Sequence, residues 1–356
     1  MTGQRALWVS TSTTTRGGVA TFVRTIRQTR LWTDWEIRHI VTHRDGSIAM
    51  RLSAFATGAA GFVVALVFHR PDVVHLHTAS YGSFARKAIL AWIARAARIP
   101  VVLHVHGAEF HSFFRRSPGI VQWAIRTTLT HASAVVALGS GWADRLEAIA
   151  PGARIIIVPN AVRPHTAVTQ PTEAEPVHAV FLGEIGDRKG TFLLLDAWAK
   201  LLADGLDRAG IRLTIAGDGE LRRARGRVAE LALNDSVNVL GWIGSDAVDD
   251  LLETAQVLVL PSRNEGQPMA VLEAMARGLC VVACDVGGIP DLIDDSCGVL
   301  VPAGEVDALV SALRRVLCDH DKRRTLGSAA LRRVEADFDV EVVSRRFDAI
   351  YRQVRR

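Results

Sequence analysis

What most limits the fold of this chain is a rhythm of short apolar runs separated by helix-length segments, repeated in two series. Runs rich in Val, Ile, Leu and Ala recur at 6–10, 37–41, 73–76, 101–105, 134–137 and 155–158, then again at 177–182, 212–216, 237–240, 257–260, 281–283 and 298–301. Strands alternating with helices in this way build a parallel, doubly wound sheet. Between the series, 164–176 holds three prolines and little apolar content, which marks a linker or a loop opening a second domain. The expected fold class is therefore α/β, with two doubly wound, Rossmann-like domains at 1–165 and 166–339. Two such domains in tandem would face a cleft, with ligands at the carboxyl ends of the strands. A final segment, 340–356, carries Val343, Phe347, Ile350 and Tyr351 at helical spacing. The length of 356 residues agrees with two domains, and 49% hydrophobic residues suffice for two cores.

Charge divides the chain much as the strands do. Residues 1–165 hold 19 Lys and Arg against 7 Asp and Glu, whereas the rest hold 23 against 30, so the net +5 hides a basic first half and an acidic second half. A basic domain suits an anionic partner, either nucleic acid or a membrane surface. Nucleic acid is not expected, because the arginines are scattered among Trp and Ala and no helix-turn-helix, zinc or RNP-type signature accompanies them. The run 52–68 is uncharged and largely apolar, at the short limit for a membrane span. Ser53, Thr57, Gly58 and Gly61 dilute it, and it leads into the strand at 73–76. A helix packed on the sheet, with one side open to lipid, is the expected form. No signal peptide is visible before the Thr-rich sequence that follows Ser10, which points to the cytoplasm. Cys280, Cys284, Cys297 and Cys318 have no paired metal spacing and read as reduced, buried thiols. The Asp-x-Asp pairs Asp319/Asp321 and Asp337/Asp339 lie away from strand ends, so neither a metal, a divalent-ion requirement nor a cofactor is expected.

The chemistry concentrates at Pro261-Ser-Arg-Asn-Glu-Gly-Gln-Pro-Met-Ala-Val-Leu-Glu-Ala-Met-Ala276, where a strand gives way to a helix. Pro268 suits the first helical position, which puts Glu265 in the loop before the helix and Glu273 about a turn and a half into it. Between the two carboxylates lie the free N–H groups of the helix start, near Gly266 and Met269, a ready anion site. The layout of hydroxyl, phosphate, hydroxyl is that of a nucleotide sugar. Gly17 and Gly18, after the first strand, allow close approach of backbone to an anion. No Gly-x-Gly-x-x-Gly follows that strand, which argues against a dinucleotide oxidoreductase. His104 and His106 share one strand face, and His106-Gly107 turns the chain at the carboxyl end. His75 and His77 end the preceding strand.

The ordered segment from Val257 to Ile293, with Pro-Ser-Arg-Asn-Glu-Gly, Leu-Glu-Ala-Met-Ala, Val-Val-Ala and Asp-Val-Gly-Gly-Ile-Pro-Asp, resembles the donor-site signature of the retaining glycosyltransferases of family 4. The resemblance extends over nearly the whole chain and implies the GT-B architecture, in which the last helix crosses back to the first domain. It implies a hexosyl transfer with retention from a UDP- or GDP-linked sugar to an acceptor hydroxyl, such as that of a lipid-linked saccharide in polysaccharide or glycolipid synthesis. Glu273 would bind ribose, Glu265 a sugar hydroxyl, and Lys189 the diphosphate as its charge grows. The Gly17-Gly18 loop would lie over that diphosphate, and His106 would touch the donor sugar. Asp218 resembles the turn beside the nucleotide, and Gly241 and Trp242 the segment that reads the base. His75, His77, Glu109 and Asn160 are candidates for the acceptor side. The chain departs from the family at Glu184, where arginine is usual, and Arg188 or Arg263 is then the candidate for the second cation. Two other readings stay open: an epimerase or hydrolase on the same fold, and a non-catalytic nucleotide-sugar-binding subunit. The basic first half, with Arg86-Lys87, Arg95, Arg98 and Arg115-Arg116, implies a peripheral site of action on anionic lipid at the inner face of the membrane.

Overall fold

The computed structural model describes residues 3–171 and 175–355, in two compact units. One comprises Met1–Ala161 with Val340–Arg356, and the other Val162–Asp339.

In the first unit β1 (Ala6–Ser10), β2 (Arg38–Val41), β3 (Val73–Thr78), β4 (Val101–Val105), β5 (Ala134–Ala137) and β6 (Ile155–Ile157) form a parallel sheet in the order β2-β1-β3-β4-β5-β6. The connections are α1 (Gly18–Ile26) and α2 (Arg30–Asp34) after β1, α3 (Ile48–Phe68) after β2, α4 (Gly82–Ala96) after β3, α5 (Phe110–Arg116) and α6 (Gly119–His131) after β4, and α7 (Ser140–Ile149) after β5. The strand order reverses at β1, so right-handed crossovers place helices on both faces. Alternation along each strand then feeds two cores. Leu7 and Val9 join Phe62, Leu90 and Leu129 on one face, while Ala6 and Trp8 join Phe22, Ile26 and Trp35 on the other.

The second unit repeats the scheme with β7 (Val177–Leu182), β8 (Ile211–Ala216), β9 (Val237–Val239), β10 (Val257–Leu260), β11 (Cys280–Cys284) and β12 (Val299–Val301), in the order β12-β11-β10-β7-β8-β9. Around it lie α8 (Thr191–Ala203), α9 (Leu221–Glu230), α10 (Ser245–Glu253), α11 (Met269–Met275), α12 (Val306–Leu317) and α13 (His320–Arg333). The last helix, α14 (Val340–Val354), belongs to the first unit, where Val343, Phe347, Ile350 and Tyr351 close the core around Trp8 and Trp35.

Several local expectations change. The proline-rich stretch is no free linker where it is described. Its His165 and Val168 amides donate to Ala276 and Arg277 carbonyls (2.8 and 2.9 Å), so it runs along the second unit, and the break between units falls after Ala161. Residues 172–174 of that stretch lie outside the described residues. Cys280, Cys284 and Cys297 are buried, but Cys318, at the surface end of α12, is exposed. Burial pushes the Cys280 thiol up to about 12 and Cys284 to about 11. Asp319 caps α13, accepting from the Lys322 amide at 2.8 Å, a helix-end role that accounts for its place in an Asp-x-Asp pair.

The long apolar helix α3 begins at Ile48, and its Ser47 cap accepts from the Met50 amide at 3.3 Å. It buries a narrow stripe of Ala54, Gly58, Phe62, Ala65 and Leu66. At Gly58 a Cβ would stand 2.2 Å from the Val41 carbonyl oxygen, so only glycine lets the helix lie this close to β2. By length and composition α3 could cross a membrane. Both of its ends, however, run into strands of one sheet, so it lies along that sheet. Its outer side, with Val63, Val64, Val67 and Phe68, is 44–75% exposed.

Candidate functional site

In the second unit, the loops leaving the carboxyl ends of β7, β8 and β9 are stitched into one wall by backbone bonds. The Ile185 amide donates to the Asp218 carbonyl at 2.6 Å, Glu220 to Ile185 at 2.8 Å, and Gly217 to Gly241 at 3.1 Å. Asp218 and Gly241 are half-buried on this wall, and Trp242 is 52% exposed beside them. The Arg263 amide donates to the Arg188 carbonyl at 2.9 Å, which ties the β10–α11 loop to the turn Asp187–Lys189.

That tie brings together the two residues with the strongest chemical signal. Lys189 Nζ donates to Glu265 Oε1 at 2.6 Å, and Ser262 Oγ donates to the same oxygen at 2.6 Å. The side chains of Lys189 and Glu265 are 15% and 5% exposed. A carboxylate so buried is tolerated because it is paired and hydrogen-bonded. Both contacts fall on Oε1, and Oε2 takes part in neither. The loop after β11 clamps the other side: Gly287 has φ 60°, and a Cβ there would sit 1.8 Å from the Glu265 carbonyl oxygen. Any side chain at 287 would displace Glu265.

The helix that follows starts one residue later than the sequence suggested. Pro268 has φ −71° and ψ 123°, an extended N-cap rather than a first helical residue, and α11 opens at Met269. Gly266 and Met269 are buried, with Met269 part of the core, so any ligand contact from Met269 would come from its backbone. Glu273 is half-buried on α11, between the buried Leu272 and Ala274. Arg188 does not stand free to replace the missing arginine. Its guanidinium donates to Glu184 Oε2 at 2.6 Å, an exposed pair four residues apart, so one of the two candidate substitutes is paired with Glu184 itself.

In the first unit, Gly17 is the N-cap of α1, with φ 117°, and Gly18 opens the helix. The loop is held to the one after β2, where Ser12 N donates to His43 O (2.9 Å) and Arg16 N to Asp45 Oδ2 (3.0 Å). Glu109 is an exposed residue at the start of α5, and Asn160 is 4% exposed.

His75, His77, His104 and His106 stack on adjacent strands beneath α14, with His77 in register with His104. Trp8 Nε1 can only donate, and it does so to the Tyr351 hydroxyl at 2.8 Å. That hydroxyl shares a hydrogen bond with His75 Nδ1, and His75 Nε2 lies 3.3 Å from His104 Nδ1. His104 Nε2 is buried and unpartnered among the described residues. Burial holds the imidazoles of His75, His77 and His104 well below the usual histidine range and that of His106 at about 3, so all four are neutral at ordinary pH. Ligand atoms of His75, His77 and His104 lie within 4.8 Å of one another, a spacing open to a metal. His75, 0% exposed, is thus a core residue and not part of an acceptor surface. His77 Nδ1 and His106 Nε2 share a 3.0 Å hydrogen bond, and His106 alone of the four keeps part of its surface at the strand end.

Two positions went unmarked in the sequence. Ser262 and Gly287 stand inside motifs that were recognised, but their roles depend on which oxygen or carbonyl they meet in space.

The profile of the Glycosyl transferase 4-like domain matches residues 5–161, and that of Glycosyl transferases group 1 matches 176–319. A relative in Salmonella typhimurium, named "Putative colanic acid biosynthesis glycosyltransferase WcaL", is 29% identical over 60% of this chain and 55% of its own length. The chain spans about half the length of the curated relatives it matches first. Among solved structures, sucrose-phosphate synthase of Thermosynechococcus elongatus superposes with a TM-score of 0.81 at 19% identity, covering 99% of both chains. Anabaena HepE, solved with UDP and glucose, gives 0.74 at 18% identity, covering 98% of this chain and 100% of that one. With two adjoining profiles matched in order and this fold in both units, the chain belongs to the GT-B glycosyltransferases of group 1, family 4.

Proposed function

We propose that the protein moves a hexosyl group from a nucleoside diphosphate sugar to an acceptor hydroxyl, with retention, on a lipid-linked saccharide of cell-surface polysaccharide or glycolipid. The observation that carries this reading is the buried Lys189–Glu265 pair, braced by Ser262 at the carboxyl ends of the second sheet. The likeness to HepE, a protein solved with UDP and glucose, supports the nucleotide, and WcaL supports the polysaccharide setting.

In the proposed reaction the bond from the anomeric carbon to the diphosphate oxygen breaks, and its electron pair leaves with the diphosphate. Lys189 meets that growing charge from a position already fixed by Glu265, so little reorganisation is needed as the bond breaks. The acceptor oxygen bonds to the same face, and its proton passes to the departing phosphate oxygen. Glu265, held by Lys189 and Ser262, orients a sugar hydroxyl, and Glu273 holds ribose. His106 remains a neutral hydrogen-bonding group for the sugar.

Calorimetry with UDP and with UDP-sugar tests the division of labour. Glu273→Ala should weaken both ligands, because ribose is common to them, and Glu265→Ala should weaken chiefly the sugar nucleotide. Equal losses from both variants would overturn it. A panel of UDP- and GDP-sugars, with and without a membrane lipid fraction, tests the reaction itself. Transfer that needs the lipid fraction supports it, rapid acceptor-free release of sugar indicates a hydrolase, and no turnover indicates a binding subunit.

We also propose that the first unit works against anionic lipid. Helices α3, α4 and α6 pack side by side, and their outer faces expose Val64, Val67 and Phe68, Ile89 and Trp92, and Trp123. Arg95 lies over the Trp92 ring, 5.9 Å from its centroid, so cation and apolar surface occur together as an interfacial patch requires.

A further inference from the structure

At the carboxyl edge of the first sheet stands a group of basic side chains with no ion pair among the described residues. Lys87, on the buried face of α4 between Phe84 and Leu90, is 2% exposed, and no acceptor bonds its ammonium among the described residues. Arg86 beside it has a buried Nε without an acceptor among the described residues, and its Nη1 reaches back to the helix start, 3.4 Å from where a Cβ on Gly82 would be. His43, in the loop after β2, has a buried Nδ1 without a partner among the described residues. Arg51, exposed in the first turn of α3, acts on both Arg86 and His43. After desolvation, these charges are what most oppose one another: Arg86 lowers Lys87, Arg51 lowers Arg86, and Arg86, Arg51 and Lys87 all lower His43. The acid that acts on His43 is Asp45, whose carboxylate already accepts from the Arg16 amide.

Such an arrangement is costly for a core. A buried, unpaired ammonium destabilises a fold, and methionine would fill the same space on α4 without that penalty. Its neighbours add repulsion instead of relief, and burial brings the Lys87 ammonium down to about 7, where an arriving anion readily restores its proton. Neighbouring donors left without an acceptor among the described residues suit an anion.

We propose that Lys87, Arg86, His43 and Arg51 bind the phosphate or diphosphate group of the acceptor. The identity of the ligand as acceptor rests on the glycosyl-transfer reading above, whereas the anion site itself does not. A diphosphate could also come from the donor, because the Gly17-Gly18 loop is bonded to the loop that carries His43.

The first test needs no turnover. The full chain is saturated with UDP and titrated with inorganic pyrophosphate by calorimetry. Wild type should bind it, and Lys87→Met and Arg86→Gln should each weaken it about tenfold or more, the scale of one charge-assisted contact. Thermal unfolding supplies a readout that a structural lysine would move the other way. Lys87→Met should melt at or above the wild-type temperature, and pyrophosphate should raise the melting temperature of wild type only. Absent binding, equal binding by the variants, or a lower melting temperature for Lys87→Met overturns the site. The second test separates the sources. In transfer assays Lys87→Met should raise the KM of a diphosphate-linked acceptor about tenfold and leave that of a phosphate-free glycoside in place. A rise in donor KM instead assigns the anion to the donor and overturns the acceptor role. Failure of all transfer with pyrophosphate binding intact counts against the glycosyl-transfer reading and not against the site.

Discussion

Lys189 and Glu265 show how pairing changes what a single substitution does. Taken alone, Lys189 as the proposed cation for a diphosphate should slow the reaction by roughly 10²-fold or more on removal while sparing the fold. The structure adds that Lys189 neutralises a carboxylate only 5% exposed. Lys189→Ala should therefore also destabilise the second unit by about 3–5 kcal/mol, the usual result of stranding one member of a buried pair. The double variant Lys189→Met with Glu265→Gln removes both charges and should recover most of that loss with no recovery of turnover. Urea unfolding and kcat of the three proteins decide it, and a stable, active Lys189→Ala would show that another cation serves the diphosphate. Each residue was legible in its own motif. Their contact joins positions 76 apart through two loops, and no local pattern encodes such a distance. Glu184 and Arg188 are only four apart, yet their pairing is plain only once the turn between them is built.

At the scale of elements, the parallel strands were legible because each is a short apolar run between helix-length segments, and both sheets contain every run the sequence marks. Their ends shifted by a residue or two, as at β3, which continues through His77 to Thr78, since ladder pairing and not composition ends a strand. What the runs did not disclose is that β3 and β4 carry their histidines into one buried stack. The stack makes stability depend on pH. Unfolded, each histidine titrates near 6.5, whereas in the fold all four are held lower, His106 at about 3. Below pH 6.5 the unfolded chain binds protons that the folded chain refuses. The stability is therefore present in full above the unfolded value and is lost as the pH falls toward the folded ones. Each such histidine steepens the loss by up to about 1.4 kcal/mol per pH unit. The urea midpoint of the first unit, followed by tryptophan fluorescence, should fall between pH 6.5 and about 5. In His104→Leu the fall should be shallower by about one proton. A flat profile over that range would contradict the buried, neutral stack.

For the whole molecule, the sequence supplied an uneven charge and an apolar run, and the fold shows that both belong to one unit. The first unit holds most of the excess arginine, and α3 exposes along its length the apolar side that a core helix would bury. Charge alone would predict binding to anionic vesicles that salt abolishes, because each basic residue near the surface contributes about 1 kcal/mol, screened beyond ~8 Å. An added apolar face predicts something different: binding that salt weakens without removing, and weaker but measurable binding to neutral vesicles. Cutting the chain near residue 165 would not isolate the effect. The cut takes away α14, stripping Phe347 and Tyr351 from the core around Trp8 and leaving His75 and Trp8 without the hydroxyl they share. The full chain is the proper test object, with Val64→Asp and Trp123→Asp as variants at exposed sites whose substitution spares the core. Wild type should sediment with anionic vesicles and stay partly bound at high salt. The double variant should lose the salt-resistant part and keep the salt-sensitive part, since its arginines are intact. Equal sedimentation of the two proteins under both conditions would remove the apolar face from the account, and no sedimentation of wild type would favour a soluble acceptor.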